Sequence, residues 1–151
     1  MNWKTLLAVA VVLAAQTGMA VAKDATTITI HKSPWCGCCT AWADAIKKAG
    51  YTVTIREHED LTAIKRQLGV PEAMEACHTA VVEGDKPYVL EGHVPLEAMK
   101  KLFAERPDIR GIAVPGMPAG SLGMGDDPAA RYSVLSFGAD ARPAVFYEAG
   151  E

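Results

Sequence analysis

Four cysteines carry the chemistry available to this sequence: Cys36, Cys38, Cys39 and Cys77. Three of them fall within four residues, as Cys36-Gly37-Cys38-Cys39. Cys38 and Cys39 are neighbours, and a disulfide between neighbours forces a strained ring far from normal bridge geometry. So dense a cluster is a poor staple for a fold, and a structural role fits it least. One remaining chemistry is metal binding, because thiolates select soft ions. The other is thiol redox, since Cys36 and Cys39 have the Cys-x-x-Cys spacing of disulfide oxidoreductases. Cys38 would then be an extra thiol prone to scrambling. A role in which the site changes the oxidation state of a bound metal lies between the two.

The elements around the cluster follow from periodicity. Thr26 to Ile30 alternates and is rich in β-branched residues, which predicts a strand ending at Ser33-Pro34. Trp42, Ala45, Ile46 and Ala49 recur on one helical face, and Gly50 stops that helix. Tyr51 to Ile55 reads as a second strand. Asp60 caps a second helix that turns Leu61, Ile64 and Leu68 inward. Thr79 to Val82 and Tyr88 to Leu90 form a hairpin, and Pro95 opens a third helix through Leu96, Met99 and Phe103. The order β-α-β-α-β-β-α makes the first two strands parallel, with helices on both faces. Residues 114–125 are dense in Gly and Pro and read as an irregular loop, followed by a last hairpin, Tyr132 to Phe137 and Ala144 to Tyr147.

Trp35-Cys36-Gly37-Cys38-Cys39 resembles the Trp-Cys-Gly-Pro-Cys active site of thioredoxins, with Cys38 in place of the Pro. The resemblance covers about residues 26–105, leaving 106–151 as a C-terminal loop and hairpin extension. A closer resemblance is to CopG, a family of small exported bacterial proteins found with copper-resistance systems. The shared segments are the Cys-x-Cys-Cys turn, Cys77 to Ala80, Glu91 to Pro95, and Ala113 to Pro118. The resemblance implies a thioredoxin-like α/β fold and a metal site, copper before any other metal. It also places Cys36 at a helix N-terminus, where backbone N–H groups favour thiolate. Cys77-His78-Thr79 stands where thioredoxins carry a cis-Pro facing the active-site pair, so Cys77 should face the other three sulfurs.

Four converging thiolates could take zinc, but adjacent Cys38 and Cys39 would meet one ion poorly at tetrahedral angles. Cu(I) accepts two or three thiolates and lets one sulfur bridge two ions. The four thiolates carry a charge of −4, which several Cu(I) ions neutralise and one zinc does not. The expectation is a polynuclear Cu(I)–thiolate cluster on Cys36, Cys38, Cys39 and Cys77, with thiol–disulfide or copper redox through Cys36 and Cys39 as the alternative. Met117 and Met124 are candidate thioether ligands, each equally readable as a core-edge filler. His78 and His31 are candidate imidazole ligands, although His78, at the start of a strand, is equally readable as solvent-facing. His93 suits a hydrogen bond at the helix start, and His58 reads as a surface residue. Trp35 is expected to shield the sulfurs and Trp42 to sit in the core beside them.

The N-terminus carries an address. Lys4 precedes an uncharged apolar run from Leu6 to Ala15, and Ala20-Val21-Ala22 has the small-x-small pattern cut by signal peptidase. Ten apolar residues fall well short of the ~20 that span a membrane. Residues 1–22 therefore read as a signal peptide and 23–151 as one periplasmic domain. The chain's net charge of −3 becomes −4 without the leader, which holds one Lys and no acid. That mild acidity gives no reason to expect nucleic acid or an anionic membrane as partner. The partners expected are copper ions and other periplasmic copper-handling proteins. N-terminal sequencing of the exported protein should begin at Lys23; an intact Met1 would contradict the leader.

Overall fold

In the computed structural model, residues 26–125, 127–138 and 142–150 are described; the leader reading at 1–22 lies outside them. The elements run β1 (Thr27–Lys32), α1 (Gly37–Lys48), β2 (Thr52–Glu57), α2 (Thr62–Leu68), a 3-10 turn (Glu72–Met74), β3 (His78–Val82), β4 (Tyr88–Gly92), α3 (Leu96–Glu105), β5 (Gly111–Val114), β6 (Tyr132–Phe137) and β7 (Ala144–Ala149). All seven strands join one sheet in the order β2-β1-β3-β4-β5-β6-β7. β1 is parallel to β2 and antiparallel to β3, β3 is antiparallel to β4, and β4 is parallel to β5.

Strand alternation sorts the side chains onto two faces. Ile28, Ile30, Ala80, Leu90 and Ile112 pack with Trp42 and Ile46 of α1 and Met99 and Leu102 of α3. The other face carries Val89, Ala113 and Phe137, which pack with Val70 and Met74. Helices thus cover both faces. α1 lies on its apolar stripe, and Asp60 accepts the Thr62 N–H at 2.8 Å to satisfy the start of α2.

Two expectations are corrected here. Gly111–Val114 is a strand inside the sheet rather than the edge of a loop, so the final hairpin extends the same sheet. Its four residues are buried on both faces and therefore show no alternation to read. In α2, Leu61, Ile64 and Leu68 are only half-buried, and the residue turned fully inward is Lys65.

Leu90 is fully buried on a central strand. Leu90→Ala should lower stability by about 2–5 kcal/mol, measured by denaturant unfolding; a loss well under 1 kcal/mol would contradict this packing.

Candidate metal centre

The chain leaves β1 through a turn in which Ser33 O accepts the Cys36 N–H at 3.1 Å, and α1 begins at once. Cys36 is its N-cap, with Sγ accepting the Cys39 N–H at 3.3 Å. Unpaired N–H groups at this end favour negative charge on sulfur. Cys36 and Cys39 are joined as a disulfide, while Cys38 and Cys77 are free. The turn thus carries one free thiol, Cys38, and an oxidised Cys-x-x-Cys pair, and with Cys77 the site holds two free thiols rather than the four thiolates expected. Cys38 Sγ lies 3.5 Å from Cys36 Sγ, and the four sulfurs lie within 4.8 Å of one another.

Cys77 reaches the cluster because the chain before β3 is tied down from the opposite face of the sheet. Glu91 is fully buried and accepts from the Ala76 N–H at 2.6 Å, from Thr79 Oγ1 at 2.6 Å and from Lys65 Nζ. Lys65 Nζ also donates to Thr79 Oγ1 at 3.0 Å. Burial holds the Glu91 carboxyl above its ordinary range, and its three donors offset only part of that rise. Gly92 completes the fit at φ +71°, since a Cβ there would stand 2.7 Å from Ala76 Cβ and 2.7 Å from Val114 O. Burial first, and then the facing Cys38, push the Cys77 thiol up to about 12. A metal ion must therefore displace its proton, which direct coordination does.

Two histidines stand behind Cys77. His78 is fully buried, packs against Trp42 with ring centroids 4.6 Å apart, and holds Nδ1 3.4 Å from Cys77 Sγ. It does not face solvent, and burial, followed by the charges of His93, Lys65 and Lys32, pushes its pKa down to about 3. His93 is equally buried and holds Nε2 3.1 Å from Cys77 Sγ. His93 lies in the Glu91–Pro95 segment shared with the CopG family, but its position ahead of Pro95 equally suited a helix-entry hydrogen bond, so its place in the site was missed. Lys65 and Glu91 were missed as well, since a polar residue on a helix or strand does not announce a buried partner.

The Gly/Pro-rich loop closes one side. Gly123, at φ +86°, passes so near α1 that a Cβ would stand 2.8 Å from Trp42 N and 2.9 Å from Cys38 O. Leu122 O meets His93 Nδ1 at 2.7 Å. Met124 is half-buried in this loop, whereas Met117 is 40% exposed with φ +47°. Trp35 is 76% exposed, so it does not shield the sulfurs; the turn after Ser33 carries it outward. His31 is drawn away from the cluster to His58, Nδ1 to Nε2 3.0 Å, and belongs to neither group of converging ligands among the described residues.

Two solved structures resemble the chain closely. One, described as copper resistance protein copG, form 2, is 39% identical with a TM-score of 0.74, over 83% of this chain and 98% of its own. The other, form 1 of a protein described the same way, is 38% identical with a TM-score of 0.75, over 85% of this chain and all of its own. The chain belongs to the CopG family of copper resistance proteins. Within it, residues 74–124 match a family model described as a protein of unknown function, DUF411. That segment runs from the start of the Cys77 turn to Met124 and so includes both histidines. No curated protein sequence matches the chain.

Removing one partner from a buried ion pair strands the other charge. Lys65→Met should cost about 3–5 kcal/mol, and Lys65→Met with Glu91→Gln should recover most of it, because the amide oxygen still accepts from Ala76. Equal instability of both variants in denaturant unfolding would show that the pair does not hold this turn.

Proposed function

We propose that this protein is a periplasmic copper-binding protein of copper resistance, holding Cu(I) as a polynuclear thiolate cluster on Cys36, Cys38, Cys39 and Cys77. The observation that carries this is the convergence of four sulfurs within 4.8 Å in a chain of the CopG family. Reduction of the Cys36–Cys39 disulfide by two electrons supplies the full set of four thiols. Soft thiolate suits Cu(I), and shared sulfurs let several ions neutralise the −4 charge in a partly buried place. Met117 and Met124, on the loop packed against α1, are proposed as auxiliary thioether ligands. The element order from β1 to α3 supports a thioredoxin-like core; the reading of 23–151 as an exported domain rests on the leader pattern at 1–22. No helix among the described residues is long and apolar enough to cross a membrane.

The disulfide itself favours a second reading, oxidoreductase activity at the same turn. Two Cu(I) ions could each give one electron to the Cys36–Cys39 disulfide, yielding two Cu(II) ions and two thiolates. The reverse step would reduce Cu(II) while the disulfide re-forms. A dithiol could deliver the same two electrons by exchange through Cys36.

Anaerobic titration of the reduced protein tests the binding proposal. More than one Cu(I) should bind per chain, and Cys38→Ser or Cys77→Ser should lower that number. Uptake of a single zinc ion with no copper would overturn it.

A further inference from the structure

Resting on that reading, the geometry points to a second, mixed-ligand copper position: Cys77, His78 and His93 form a one-ion Cu(I) site that survives when Cys36 and Cys39 are oxidised. The three residues offer ligand atoms within 4.8 Å of one another, apart from the Cys-x-Cys-Cys turn except through Cys77.

His93 is held ready by its surroundings. The Leu122 carbonyl at 2.7 Å can only accept, so Nδ1 carries the proton and donates it. Nε2 is then an unprotonated lone pair, and it points at Cys77 Sγ from 3.1 Å. A carbonyl on one ring nitrogen that fixes the tautomer and leaves the other for an ion is the usual arrangement of metal-binding histidine. Without metal, the Cys77 S–H donates to that lone pair.

His78 supplies the third ligand atom. It is fully buried and its Nδ1 lies 3.4 Å from the same sulfur, leaving Nε2 to carry the ring proton when Nδ1 binds an ion. Around an ion with three ligands, bonds of about 2.3 Å to sulfur and 2.0 Å to nitrogen at about 120° put the two donors about 3.7 Å apart. The S···N separations of 3.1 and 3.4 Å are within reach of that by small side-chain rotations.

Charge selects the ion. One thiolate and two neutral imidazoles bring −1, which Cu(I) cancels and a divalent ion does not. A neutral product suits a pocket walled by Trp42 and bordered by buried Lys32 and Lys65. Oxidation of Cys36 and Cys39 removes two of the four thiolates but touches none of these three ligands. The disulfide form would thus keep one copper ion while losing the cluster.

The test adds Cu(I) alone, without oxygen, to the mature protein in its disulfide form and, in parallel, in its fully reduced form. The disulfide form should hold about one ion, with X-ray absorption showing a shell of one sulfur and two nitrogens. His93→Gln should weaken that ion's binding at least tenfold against a Cu(I) chelator, while its reduced form still takes up the cluster. A sulfur-only shell, an empty disulfide form beside a loaded reduced form, or unchanged affinity in His93→Gln would overturn the proposal. If His93→Gln fails to fold, the wild-type ligand shell decides alone. Failure of the cluster reading looks different: the reduced form would take up no more copper than the disulfide form.

Discussion

A carboxylate with no exposure must find donors, and the search by Glu91 organises the site. It draws Lys65 from α2, Thr79 from β3 and the Ala76 N–H from the turn between them. Those three contacts fix where the chain enters β3, one residue beyond Cys77. Strand alternation does the rest: Thr79 and Glu91 face α2, so His78 faces Trp42 and α1 on the other side. The helix that begins at Cys36 brings the remaining sulfurs to the same spot. An ion pair buried this deeply adds little net stability; its value here is placement.

The centre is a place where the number of available thiolates changes with redox state. With the Cys36–Cys39 disulfide formed, two thiols remain, one of them high in pKa because it is buried beside the other. Reduction restores four thiols, three of them in the turn that starts α1, where backbone N–H groups favour negative charge. Copper capacity and thiol oxidation are therefore two aspects of one proposed chemistry.

Much of this was legible in the chain. Cys36-Gly37-Cys38-Cys39 and the Cys77 segment named the location, and the period-2 and period-3.6 patterns placed β1, α1, β3 and α3 beside it. β5 was hidden because Gly111–Val114 is apolar on both faces and so lacks a period. His93 and Glu91 were hidden for another reason. Their roles depend on what lies across the sheet or in a distant loop, Leu122 O for one and Lys65 for the other, and no local pattern records such partners. Trp35 misled for the converse reason: a large apolar residue beside the turn suggested a shield, but the tight turn at Ser33 directs it to solvent.

The most direct test of the central claim is a crystal structure of the reduced protein loaded with Cu(I) without oxygen, with anomalous scattering recorded at the copper edge. The account predicts more than one copper peak among the four sulfurs of Cys36, Cys38, Cys39 and Cys77. A single peak there, or copper found only elsewhere on the molecule, would contradict it.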